Sequence, residues 1–136
     1  MDGKPFDLND RTFQFASDIL DWVEKCPRTF LAIELLRQLI KAATSVGANI
    51  EEAGEAQSDR DEASKLGIAL KEVRESRYWL RLLKKRIRQQ DTVDGLIQEA
   101  TELSNIFKSR IRNLQGKGEA EEVTEKPEEK EPAAAS

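Results

Sequence analysis

The chain has no histidine and a single cysteine, Cys26, among its 136 residues. Without imidazole, His-containing zinc sites, Ser-His-Asp and Cys-His nucleophiles and imidazole acid-base catalysis are all excluded. One thiol rules out an intrachain disulfide and suits a reducing compartment. Long apolar runs are missing as well. No segment approaches the ~20 apolar residues that cross a bilayer, and the N-terminal MDGKPFDLNDR has no apolar signal core. A soluble, cytoplasmic protein with no membrane association is expected. Gly47, Gly54 and Gly67 stand isolated within helical pattern, so there is no glycine-rich phosphate loop. Nor is any period-two alternation long enough for a strand.

What is present is 38% apolar and 35% charged residues, enough for one domain with one core. The formal net charge of -4 is unevenly placed. Residues 117–136 hold seven glutamates against Lys117, Lys126 and Lys130, which accounts for the whole deficit. Residues 1–116 are neutral overall, so the acidic balance of the chain says little about its folded part. The division predicted is a lead over 1–8, a helical domain over 9–116, and a disordered acidic tail over 117–136 whose composition cannot bury a core.

Helical spacing recurs four times. Phe13, Ala16, Ile19, Leu20 and Val23 form a first seam, capped by Asp7 or Asn9 and stopped at Cys26-Pro27. Leu36, Leu39, Ala43, Val46, Ile50 and Ala53 form a second over about 30–56. After a break at Gly54 and Gln57-Ser58-Asp59, an acidic start introduces a third helix reaching about Arg88. Val93, Leu96, Ile97, Ala100, Leu103, Phe107, Ile111 and Leu114 form a fourth, capped by Asp91 or Thr92 and ending at Gly116. Short connections favour antiparallel neighbours, hence an all-α, up-down-up-down four-helix bundle. Gly47 and Gly67, with Ala43 and Ala69, are expected where helices approach closely.

The third segment carries the main functional signal. At 100° per residue, Ile68, Ala69, Val73, Trp79, Leu80, Leu83 and Ile87 share one arc, and Arg74, Arg77, Arg81, Lys84, Lys85 and Arg88 another. Lys71 to Arg88 holds eight basic residues and two acidic ones, Glu72 and Glu75. Guanidinium forks suit phosphate oxygens, and Tyr78 beside them suits stacking on an unpaired base. The same arginines also suit a solvated face, or acidic residues of a neighbouring helix or subunit. Trp79 lies on the apolar side and reads as core.

On the second helix Gln38, Lys41, Ser45, Asn49 and Glu52 form a polar row beside the seam. Such a row can fix register or oligomeric state, with Ser45 free to bond back to a carbonyl one turn earlier. The carboxylates at Glu51, Glu52, Asp59, Asp61 and Glu62 read as helix-end electrostatics rather than as a metal or acid-base site. No constellation combines nucleophile, base and transition-state stabiliser, so no enzyme and no cofactor are expected.

In order and spacing, the chain resembles the four helix bundle proteins, or 23S ribosomal RNA intervening-sequence proteins, over about residues 6–90. The resemblance rests on Asp7-Leu8, Pro27, Gln38-Leu39, Lys41-Ala42-Ala43, Ser45, Asn49-Ile50, Glu52, Ser58, Ile68-Ala69-Leu70, Glu72 and Tyr78-Trp79-Leu80. The chain departs from the family's pattern around that glutamate, at Glu51 and Ala53. The resemblance implies an antiparallel bundle that assembles into a homopentamer without established enzymatic activity. It marks Gln38, Ser45, Asn49, Glu52 and Trp79 as an assembly and packing motif. A group similar in fold, the accessory variability proteins of diversity-generating retroelements, binds nucleic acid through a basic surface and partners a reverse transcriptase. The implied counterparts in this chain are Arg74, Arg77, Arg81, Lys84, Lys85 and Arg88, facing RNA or a nucleic-acid protein complex.

Overall fold

Each of the first three helices begins where a short polar side chain can satisfy an orphan backbone N–H. The computed structural model describes residues 7–121. The Asp7 carboxylate accepts from the N–H groups of Asn9 (3.0 Å) and Asp10 (3.2 Å) and opens α1, Leu8–Glu24. Thr29 accepts from Ala32 N–H at 3.1 Å and opens α2, Phe30–Gly54. Ser58 accepts from Asp61 N–H at 3.0 Å, while the Asp61 carboxylate reaches back to Gln57 N–H at 3.4 Å, a capping box displaced by one residue. This opens α3, Asp59–Arg86, two residues shorter than its periodicity suggests. Ser58→Ala should cost about 1 kcal/mol, read as a lowered urea midpoint at unchanged slope.

The fourth helix, α4, spans Val93–Glu121. Neither Asp91 nor Thr92 provides a side-chain cap among the described residues. Thr92 instead turns the chain at φ 60°, a left-handed conformation that is costly for a β-branched residue. Gln90 closes the preceding helix, its amide donating to the carbonyls of Lys84 (3.0 Å) and Ile87 (2.9 Å). The expected stop at Gly116 is not a stop. One glycine costs about 1 kcal/mol in a helix, and nothing lies within 4 Å of where a Cβ would stand at Gly116. The acidic tail beyond Glu121 lies outside the described residues.

The four helices pack as an antiparallel bundle in which α2 meets α1 and α3, and α4 meets α3 and α1. The backbones of the diagonal pairs do not come close, and no strand occurs among the described residues. The second seam is buried throughout, and in the fourth Val93, Leu96, Ala100, Leu103 and Phe107 are buried. The first seam is rotated from its expected position. Phe13 is 68% exposed and Leu20 is also outside, while Phe15, Ile19, Trp22 and Val23 are buried. A one-sided reading places α1 against a single neighbour, whereas it packs between α2 and α4. On α3, Ile68 is 41% exposed and its place in the core is taken by Leu66, with Ser76 also buried. Ser76 meets its burial by donating to the Glu72 carbonyl at 2.8 Å.

Gly47 serves close packing as expected: a Cβ there would lie 3.3 Å from Thr12 Oγ1. Gly67 does not, since nothing comes within 4 Å of the same point. Cys26 is buried at the end of α1, and burial pushes its thiol up to about 11, which leaves it protonated and unreactive at neutral pH. No helix among the described residues is long and apolar enough to cross a membrane.

Candidate nucleic-acid interface

Helical geometry puts Arg74, Tyr78, Arg81 and Lys85 within about 60° of one another along α3. All four are exposed. Arg74, Arg81 and Lys85 make no ion pair or hydrogen bond with any described residue. Tyr78 sits between the cations at 54% exposure and meets the Trp79 ring edge-on, with centroids 5.2 Å apart and planes at 75°. Trp79 is partly buried against the core, so it anchors the tyrosine rather than offering a stacking face.

The other basic candidates divide differently. Arg77 is half-buried and its guanidinium reaches Thr101 Oγ1 on α4 at 3.3 Å. Lys84 Nζ lies 2.7 Å from Asp94 Oδ1, also on α4. Arg88 falls beyond the end of α3 and lines a shallow depression with Lys25, Pro27 and Thr29. The six cations therefore do not form one face. Three make an outward column, two bind α4, and one belongs to the end of the bundle. Lys84, Lys85 and Arg86 also fill the last turn of α3, where positive charge is favoured by the helix dipole.

The polar row of α2 is only partly enclosed. Gln38, Lys41 and Glu52 are exposed, and Ser45 and Asn49 are half-buried. Asn49 Nδ2 donates to the Ser45 carbonyl at 2.9 Å. The back-bond expected of Ser45 is made by its neighbour instead, Thr44 Oγ1 donating to the Ile40 carbonyl at 2.8 Å. Glu51 and Glu52 are solvated near the end of α2. No three ligand-type side chains converge on a common point among the described residues.

One ionic feature has no signature in the sequence. Arg11 Nε and Nη2 grip the Glu99 carboxylate at 2.7 and 2.9 Å, and Nη2 also reaches Glu102 Oε1 at 2.9 Å. The hydrogen bond to Glu99 raises the Arg11 pKa further. Glu102 is held below the usual carboxylate range by Gln98 first and Arg11 second. This clamp ties α1 to α4 across 88 residues of chain, a pairing that periodicity cannot foresee.

The family described as 23S rRNA-intervening sequence protein matches residues 4–109. Among solved structures, the chain is similar to a protein of unknown function from the S23 ribosomal protein family of Bacteroides thetaiotaomicron VPI-5482. The two are 34% identical over 77% of this chain and 98% of that one, with a TM-score of 0.65. No curated protein matches.

Proposed function

The chain belongs to the 23S rRNA-intervening sequence protein family, and from that premise we propose that it is a non-enzymatic, oligomeric RNA-binding bundle. The observation that carries this reading is the outward column of Arg74, Arg81 and Lys85 around Tyr78, charged and without partners on the described part of the chain. Unpaired guanidinium and ammonium groups suit phosphate oxygens, and a half-exposed tyrosine among them suits an unstacked base. One such column is a modest patch. Repeated around a homopentamer it becomes an extended basic ring, and simultaneous engagement multiplies the affinity. A reverse transcriptase working on structured RNA is one protein partner that such a ring would serve.

The test is fluorescence anisotropy of a labelled, structured RNA across a salt series, with mass measured by light scattering on the same sample. Tight binding at low salt that weakens log-linearly as salt rises, by an oligomer, is the expected result. An oligomer that ignores RNA at low salt overturns the reading.

A second reading is favoured by Arg77 and Lys84, which already spend their charge within the protein, on α4. In it the remaining cations do the same between subunits or against an acidic protein, and the family is architectural.

A further inference from the structure

A second feature lies on the other flank of α4, between α4 and α1. The α1/α4 seam is the most sparsely packed of the four. The 17-residue α1 runs beside a 29-residue α4, leaving an open cleft of about 1240 Å³. That exceeds the roughly 300–1,000 Å³ typical of small-molecule sites, which points to a stretch of polypeptide.

Charge selects the class of occupant. Six carboxylates and three cations line the cleft. Two of the cations already have acidic neighbours, Arg11 at Glu99 and Arg110 at Glu62, the latter at 3.8 Å. On the α1 side Asp10, Asp18 and Asp21 form an exposed acidic row, with Lys25 the remaining cation. Phe15, Trp22 and Leu96 lie beneath that row. Trp22 is 1% exposed, and its Nε1 is the one buried side-chain donor without an acceptor among the described residues. An unpaired buried donor is costly, and a side-chain carbonyl set among the aliphatic residues on an occupant's inner face would relieve it.

We propose that the α1/α4 cleft docks a cationic amphipathic helix of a partner protein, its lysines and arginines on the aspartate row and its aliphatic face toward Trp22. A nucleic acid is excluded from this flank by the same carboxylates. The proposal is independent of the RNA reading, because it rests on different helices. The two therefore fail separately.

The probe is a fluorescein-labelled helical peptide matching α1 in length, with lysine and arginine on one face and leucine on the other. The full chain should bind it, and Asp18→Lys with Asp21→Lys should weaken binding by roughly tenfold or more, since each reversal sets like charges against each other. Asp18→Asn with Asp21→Asn should weaken it less. Reversal at Glu51 on α2 and at Glu55, the residue just after that helix, should leave it unchanged. In a Trp79→Phe background, peptide binding should shift Trp22 emission.

Equal loss from both reversals, or equal binding by a peptide with its leucines dispersed, would reduce the effect to general charge attraction and overturn the proposal. So would unaltered binding by the Asp18, Asp21 variants. A fall in oligomer mass in those variants would assign the cleft to a second copy. Binding seen only after residues 1–6 are removed would assign it to the chain's own N-terminus.

Discussion

Trp22→Ala should lower stability by roughly 3–5 kcal/mol, the range for emptying a large aromatic site in a core that cannot fully collapse. Trp22→Phe should cost far less, and the contrast is the informative part. The indole belongs to the same apolar cluster as Phe15 and Ile19, so phenylalanine keeps most of the packing but leaves a small void. Against that void stands the removal of Nε1, a buried donor without a partner. Leaving such a group unsatisfied costs about 1–3 kcal/mol, comparable to the forfeited packing. The two changes oppose each other, and the phenylalanine variant should fall within about 1 kcal/mol of the parent. Urea unfolding followed by circular dichroism, at one fixed protein concentration, reads both values; concentration must be held because assembly adds to apparent stability. A loss of about 2 kcal/mol or more in the phenylalanine variant would show that the indole N–H has a partner in solution.

The architecture was legible because three independent signals agreed: seams at helical spacing, polar residues at helix starts, and short connections. Leu36 through Ala53 are buried as their spacing predicts. Helix faces were less legible where a helix has two neighbours. Phe13 and Leu20 repeat with Ile19 and Val23 at good spacing, yet the packed face is the one bearing Phe15 and Trp22. Periodicity reports that a helix has an apolar side, and the direction of that side is decided by partners far away in sequence. The same limit explains Gly67, which looked like a packing glycine and faces open space.

For the candidate interface, the sequence located the basic helix but left its charges equivalent. Arg77 and Lys84 share an arc with Arg81, but they are rotated toward α4, where Thr101 and Asp94 wait. No local pattern announces those partners. The aspartate row on α1 was visible in principle, since Asp10, Asp18 and Asp21 share one side of that helix. It carried no weight until α4 was seen to leave that side open.

That division gives the basic column its sharpest test. Replacing Arg74, Arg81 and Lys85 together by glutamine should lower RNA affinity by about 100-fold at low salt, taking roughly 1 kcal/mol for each charged interaction with the RNA. The salt dependence should flatten by roughly 0.7–0.9 in log-log slope for each phosphate no longer neutralised. These side chains have no intramolecular partners among the described residues, so the fold should not register the change. Replacing Arg77 and Lys84 instead should leave most of the RNA affinity in place, because their heads are held at α4. If the triple variant keeps its mass by light scattering while failing to bind RNA, the column is a nucleic-acid surface. If it separates into monomers, the same three side chains join subunits and the architectural reading takes over. An intact oligomer with undiminished RNA affinity would leave the column as solvated charge, with α3 favoured at its C-terminal end by its own dipole.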